Sequence, residues 1–282
     1  MYEQHFGLSE LPFSLTPNTH FFLNLPTHQE ALNLILVALE NGDGFVKIVG
    51  EVGTGKTLLC RKVLNALDGD YVSAYIPNPY LSPDDFRRGF ARELGIELES
   101  IDDGFSLLER LNQRLIELAG QGKRVVLLVD EAQAMPEETI EALRLLTNLE
   151  TESAKLFQVV LFGQPELDQL LARHALRQLL QRITFSYQLR HLDMEGVGQY
   201  VNHRLSRAGY NGVPLFDQRA VKLLTRASAG TPRLVNILGH KALLCAYGKG
   251  EHRVTSGHVC RAVDDTEGVA LPWYLRLAGG RA

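Results

Sequence analysis

Eight consecutive residues, Gly50-Glu51-Val52-Gly53-Thr54-Gly55-Lys56-Thr57, carry the first recognisable chemistry of this 282-residue chain. They fit the phosphate-loop pattern G-x-x-x-x-G-K-[ST] at every fixed position. Glycines at those places let the backbone turn several N–H groups toward one point. A helix beginning at the end of the loop adds the partial positive charge of its N-terminus, with Leu58 continuing the binding segment. Lys56 would reach the β- and γ-phosphates of a nucleotide, and the Thr57 hydroxyl would ligate Mg²⁺. A second motif follows 74 residues after Lys56, at Asp130-Glu131. Asp130 would hold the Mg²⁺ shell, directly or through water, and Glu131 would orient and polarise the attacking water. Gln164, in Gly163-Gln164-Pro165-Glu166, reads either as a polar contact to the γ-phosphate and the water or as a turn residue before proline.

These side chains need strands to place them, and the flanking sequence supplies strands. Phe45-Val46-Lys47-Ile48-Val49 runs into the phosphate loop, and Leu58, Leu59, Val63, Leu64 and Ala66 follow it at helical spacing. Val125 to Val129 is five apolar residues without alternation, which predicts a strand buried on both faces, as in a parallel sheet. Its acids then fall at a strand C-terminus, where open α/β sheets bind ligands. Tyr71–Ile76, Leu156–Phe162 and Ile183–Leu189 complete five expected strands. Helices are expected over 28–41, 82–95, 105–119, 136–150 and, in two pieces, 167–181. Ser82-Pro83-Asp84-Asp85 is a helix start with a capping residue, an N-terminal proline and acids in the first turn. Residues 1–27 read as a loop-like arm in which Leu8, Pro12 and Phe13 either cover the core or wall an adenine pocket. From Asp193 onward only helices are expected, which places a domain boundary near residue 190.

Composition narrows the function classes. The chain is 45% hydrophobic and 22% charged, as expected of a globular protein with a sizeable core. Its net charge is −4, made of −10 over residues 1–189 (16 basic, 26 acidic) and +6 over 190–282 (13 basic, 7 acidic). That balance gives no strong sign of nucleic-acid binding, while the basic C-terminal part is either ordinary surface variation or a face for an acidic partner. Three scattered cysteines suit a reducing compartment, and no H-E-x-x-H or C-x-x-C spacing points to zinc. No apolar run approaches a membrane span and the N-terminus does not read as a signal peptide, so the expectation is a cytoplasmic protein. Trp273 and Tyr274, in Leu271-Pro272-Trp273-Tyr274-Leu275, are expected to pack on the helical domain or to dock peripherally on a membrane-bound component.

The ordered set of motifs resembles the AAA+ ATPases, and more narrowly the secretion ATPases of the general secretion pathway protein A (ExeA) type. The likeness runs over roughly residues 2–268, through Phe6-Gly7-Leu8, Pro12-Phe13, the phosphate loop, Asp130-Glu131-Ala132-Gln133, Phe162-Gly163-Gln164-Pro165-Glu166-Leu167, Gln181-Arg182-Ile183 and Gly230-Thr231-Pro232-Arg233. Within the group it is most similar to ATPases of MSHA-pilus biogenesis. The resemblance implies a three-layer α/β/α phosphate-loop domain with a parallel sheet in the order 5-1-4-3-2 over residues 1–190, an all-α lid over 191–268 and a short tail over 269–282. It implies ATP and Mg²⁺ as ligands, ring or hexamer assembly as a homo-oligomer, and other pilus or secretion proteins as partners. It makes Arg233 a lid arginine that reads the γ-phosphate. It makes Arg182, with Arg177 in reserve, an arginine finger for a neighbour's ATP; read without it, both are surface charges. ExeA-type proteins continue into a membrane span and a peptidoglycan-binding domain, whereas this sequence stops at Ala282, so wall binding is not expected of it. The competing expectation is a DNA-associated AAA+ protein, a transposition helper or a replication initiator, because those share the same core.

Overall fold

The computed structural model describes residues 2–98, 104–149 and 155–269. In chain order the elements are α1 (Tyr2–Phe6), α2 (Pro26–Glu40), β1 (Phe45–Val49), α3 (Lys56–Ala66), β2 (Tyr71–Ile76), α4 (Pro83–Glu93) and α5 (Gly104–Gly120). They continue with β3 (Arg124–Val129), α6 (Glu137–Leu146), β4 (Phe157–Gly163), α7 (Glu166–Leu171), α8 (Arg177–Leu180), β5 (Ile183–Gln188), α9 (Met194–Arg207), α10 (Gln218–Ser228), α11 (Pro232–Gly248) and α12 (Ser256–Asp264). The chain divides into two compact units: Pro26–Glu51 with Lys56–Leu189, and Met1–Leu25 with Val52–Gly55 and Arg190–Ala282.

The first unit is built on a five-stranded sheet in the order β2-β3-β4-β1-β5, every neighbouring pair parallel. This is the expected 5-1-4-3-2 order read from the other edge. Strand periodicity sorts each apolar run onto two faces. Phe45, Val49, Val125, Leu127, Val129, Val159 and Leu161 point into one core with Phe86, Phe90, Leu111 and Leu143 of α4, α5 and α6. Val46, Ile48, Val126, Leu128, Val160 and Phe162 point into the other with Ile35, Leu39, Leu59 and Val63 of α2 and α3. The result is the three-layer α/β/α sandwich of AAA+ phosphate-loop domains. Lys47 breaks the apolar run of β1; it is buried and ion-paired with Asp168 of α7. Burying a lone ammonium would be expensive, so this partner is what lets a lysine occupy the middle of β1.

The second unit is helical. Val201, Leu205, Leu224, Val235, Leu238, Leu243 and Val259 form its core together with Tyr2, Phe6, Leu8, Phe13 and Phe21. The N-terminal arm therefore contributes large aromatic side chains to the helical core. It is also less loop-like than expected: Tyr2 and Phe6 lie four apart on α1, both inward, and Thr19–Phe21 is a one-turn 3₁₀ helix capped by Asn18. Buried Arg204 fastens the arm, donating to the carbonyls of Pro12 and Ser14 (the latter at 3.1 Å) with its guanidinium over the Phe21 ring. Helix α2 starts at Pro26, two residues before the expected start, because a proline in the first turn needs no N–H partner. The region expected as two helical pieces over 167–181 holds three short ones, α7, a 3₁₀ turn at His174–Leu176, and α8. Trp273 and Tyr274 lie outside the described residues.

Candidate nucleotide-binding and catalytic site

Sheet order alone brings three sequence motifs to one end of the first unit. β4 lies between β1 and β3, so the tip carrying Gln164 sits between the strand that enters the phosphate loop and the strand that ends in Asp130-Glu131. Gly50 N–H donates to the Gly163 carbonyl at 3.1 Å, joining the loop's first residue to that tip. Lys56 is the first residue of α3, an 11-residue helix whose opening N–H groups have no partner within the helix. Its ammonium is buried and donates to the Gly50 carbonyl at 2.7 Å and the Glu51 carbonyl at 3.0 Å. Burial is the largest influence on Lys56 and lowers its pKa; the charges of Glu131, Asp130, Glu51 and Glu166 act in the opposite sense. An ammonium with three donors, pulled back onto two carbonyls at the mouth of a helix N-terminus, is well placed to exchange them for phosphate oxygens.

The Thr57 hydroxyl donates to Asp130 Oδ2 at 2.7 Å. Asp130 is 2% exposed, and its other oxygen accepts the Glu131 N–H at 3.0 Å. Burial raises the pKa of Asp130, against the hydrogen bonds from Thr57 and the Glu131 N–H. The phenol of Tyr75 on β2 faces the same carboxylate, and its pKa is pushed up to about 12, first by burial and then by the charges of Cys60 and Asp130. A hydroxyl and a buried carboxylate in contact, with a lysine close by, fit Mg²⁺ held together with phosphate, since Mg²⁺ is bound through one or two protein oxygens plus phosphate and water. Among the described residues no cluster of three or more His, Cys, Asp or Glu offers an alternative metal site.

Glu131 occupies a left-handed backbone conformation, φ 51° and ψ 38°, that a non-glycine residue adopts at a cost. Its carboxylate Oε2 accepts from Gln133 Nε2 at 2.6 Å and from Gln164 Nε2 at 3.0 Å. Burial acts to raise the Glu131 pKa, but those two hydrogen bonds and the Lys56 charge prevail, and the net shift is downward. Gln164 thus stands beside Glu131. Gln133, named only as part of a motif by the sequence, turns out to touch both.

The remaining expected site residues make contacts of their own. Leu8 and Phe13 are buried in the helical unit, with the Phe13 ring 6.0 Å from that of Phe216 and against Gly239. Val52, Gly53, Thr54 and Gly55, the tip of the phosphate loop, group with that unit. Within it, the Arg233 N–H donates to the Gly53 carbonyl at 3.2 Å. Gly53 has φ 82°, and a Cβ there would lie 2.6 Å from the Arg233 Cβ, so both conformation and space require glycine. Arg182, just before β5, donates to Thr147 Oγ1 at 2.8 Å and Asn148 Oδ1 at 2.6 Å at the end of α6. Arg177 is exposed.

Comparison with known proteins agrees with the fold. The family described as "AAA domain" matches residues 39–171. The chain is 43% identical over 270 residues, 95% of its length, to general secretion pathway protein A of Aeromonas hydrophila, and covers 49% of that protein. It therefore spans about half the length of the curated relative it matches. Among solved structures it is similar to Cdc6p of Pyrobaculum aerophilum, with a TM-score of 0.70, 17% identity, and 93% and 74% of the two chains covered. It is similar to ORC2 of Aeropyrum pernix in complexes with ADPNP and ADP, with a TM-score of 0.65, 16% identity, and 92% and 74% covered. The RuvB Holliday junction branch migration motor of Thermotoga maritima gives a TM-score of 0.55 at 17% identity, with 86% and 70% covered. At these identities the solved structures speak for the fold alone.

Proposed function

The chain is an AAA+ protein of the general secretion pathway protein A type, and from that premise we propose that it binds ATP with Mg²⁺, hydrolyses it, and couples the turnover to assembly of a type IV pilus of the MSHA type or of a secretion machine. The observation that supports the chemistry best is the convergence of Lys56, the Thr57–Asp130 pair and the Glu131–Gln164 pair at one end of the sheet. Lys56 trades its loop carbonyls for β- and γ-phosphate oxygens. Thr57 and Asp130 would hold Mg²⁺, which would supply charge neutralisation at the phosphates. Glu131 keeps one carboxylate oxygen, Oε1, outside the hydrogen bonds to Gln133 and Gln164, and that oxygen accepts the proton of the attacking water. The Gln164 amide has a second N–H to offer the γ-phosphate or the water.

Two further roles rest on motif position: Arg233 reads the γ-phosphate, and Arg182 supplies positive charge to the ATP of a neighbouring copy in a homo-oligomeric ring. In its own chain the Arg182 guanidinium is held by Thr147 and Asn148, so the trans role requires it to change partners. Leu8 and Phe13 take part in adenine binding in this reading. In this reading the protein works in the cytoplasm, which its three scattered cysteines suit. No helix among the described residues is long and apolar enough to cross a membrane.

Phosphate release by the purified full chain with Mg²⁺ and ATP tests the chemistry, with Lys56→Ala as control. That variant is expected to lose nucleotide binding, and retained binding would remove Lys56 from the site. Recovery of the Glu131→Gln variant from cells tests the process: pilus or secretion proteins are expected to co-purify. A second reading, a DNA-associated AAA+ protein, is favoured by one observation. Arg219, Lys222 and Arg226 stand exposed on α10, which carries no acidic residue. Tight DNA binding that weakens steeply with salt would support it.

A further inference from the structure

Gln133 has both ends of its amide committed. Its Nε2 donates to Glu131 Oε2 at 2.6 Å, and its Oε1 accepts the backbone N–H of Gln164 at 2.9 Å. Those neighbours also fix the orientation of the amide: one is a carboxylate that can only accept, the other a backbone N–H that can only donate, so a flipped amide would satisfy neither. The room for it comes from Gly163, where a Cβ would lie 3.3 Å from Gln133 Oε1 and 2.6 Å from Leu167 Cδ2. Gln133 itself is set by a single 3₁₀ turn, Ala132–Ala134, anchored by buried Ala132 and closed by the Ala134 N–H on the Glu131 carbonyl at 2.8 Å. The left-handed backbone of Glu131 is what turns the chain sharply enough for a residue two positions later to reach back to its carboxylate.

No other common side chain does this job. Glutamate would keep an acceptor for the Gln164 N–H but set a second carboxylate against Glu131. Asparagine is one methylene shorter, and leucine has no polar end. The amide links three things at once: the Glu131 carboxylate on β3, the backbone of the β4–α7 turn, and through that turn the Gln164 side chain, which donates to the same Glu131 oxygen. Both donors fall on Oε2, which fixes the carboxylate plane and directs Oε1 away from them.

We propose that Gln133 is a positioning residue for the hydrolytic step, locking the Glu131 carboxylate to the β4–α7 turn so that Glu131 and Gln164 move as one rigid pair. This rests on the reading of Glu131 as the base. Gln133 touches no substrate; it acts through Glu131. In the full chain, Gln133→Ala is expected to lower kcat by about 10- to 100-fold, the size of loss that follows from loosening a catalytic group's placement. KM for ATP and the affinity for a fluorescent ADP analogue are expected to stay within about twofold, because uniform binding is untouched. In a double-mutant cycle the Gln133→Ala loss is expected to vanish in the Glu131→Gln background, since a residue acting only through Glu131 has nothing left to position. A merely structural role would give additive losses and weakened ADP binding.

A readout without turnover keeps the inference separate from the ATPase reading. In the nucleotide-free protein, amide exchange at Gln164, followed by NMR, is expected to speed up by about tenfold in Gln133→Ala, the equivalent of one lost hydrogen bond. Gln133→Met, which keeps the volume and loses the amide, is expected to behave like Gln133→Ala and guards against a folding defect. Unchanged exchange in both variants would overturn the link between Gln133 and the turn, whether or not the wild type hydrolyses ATP. Normal exchange differences with a silent wild type would instead count against Glu131 as a base while leaving the lock intact. An unchanged kcat in an active wild-type background would overturn the positioning role.

Discussion

At the scale of single residues, the site separates binding from chemistry, and the separation can be measured. In the proposed reaction Lys56 and Thr57 face the phosphates and the cation, and Glu131 faces the water. Loss of the Lys56 ammonium is expected to abolish binding, whereas Glu131→Gln keeps the shape and removes the proton acceptor, with an expected loss of about 10²- to 10⁴-fold in kcat and little change in ATP affinity. Isothermal titration beside a phosphate-release assay checks both. The sequence was legible here to an unusual depth because phosphate loops and metal-binding strand ends have fixed spacings imposed by geometry. Asp130, Glu131 and Gln164 needed only a strand tip to be placed, and Lys56 and Thr57 only the start of α3. Gln133 and Tyr75 were not legible. Gln133 acquires its role from the left-handed turn at Glu131, which no residue type in Asp130-Glu131-Ala132-Gln133 announces. Tyr75 is one residue of an ordinary alternating strand and meets Asp130 only because β2 pairs with β3 in register, Tyr75 opposite Leu128.

At the scale of elements, the helical unit has an acid weakness built into its packing. His203, His240 and His258 are all neutral-biased, with pKa values lowered chiefly by burial. His258 is the clearest case: its side chain is inaccessible, and its Nδ1 accepts the Thr255 N–H at 3.1 Å in the cap of α12. Protonating that nitrogen removes the acceptor and places a charge in the core. Glu251, 3.4 Å from Nε2, opposes the shift without reversing it. A lowered folded-state pKa means the unfolded chain binds protons first, so the stability these groups permit is complete above about pH 6.5 and is lost as pH falls through that value. Thermal melting is expected to move down between about pH 7.5 and 5.5, above the range where most carboxylates titrate. His258→Gln is expected to flatten the slope, and a melting temperature independent of pH in that window would contradict the assignment. Arg204→Met should loosen the N-terminal arm, seen as faster proteolytic cleavage within residues 9–20, because the Pro12 and Ser14 carbonyls lose their donor. The arm read as loop from its prolines because its helical pieces span only five and three residues, too short for periodicity to show. The long apolar strands and the capped helix at Ser82 were readable for the opposite reason: each carries its own signal within a few residues.

At the scale of the whole molecule, the order of the five-stranded parallel sheet and the helical unit were expected from the family resemblance that the ordered motifs carry, and the sheet has that order. What the sequence left open is how much of the reaction one copy can perform. Arg182 is tied to Thr147 and Asn148 of its own chain. If Arg182 serves a neighbour's ATP, specific activity should rise with protein concentration, and Arg182→Ala should lose turnover with binding intact, by about 10³- to 10⁵-fold for a finger in trans. Mixing Arg182→Ala with Glu131→Gln should then restore part of the activity, because each supplies what the other lacks; no recovery at any ratio would confine the site to one chain. The most direct test of the central claim, that this chain hydrolyses ATP through Glu131, is a single-turnover measurement with radiolabelled ATP on wild type and Glu131→Gln. The account predicts that both bind ATP, that the wild type converts it to ADP and phosphate, and that the variant retains it uncleaved. ADP formed by the variant at the wild-type rate would contradict it.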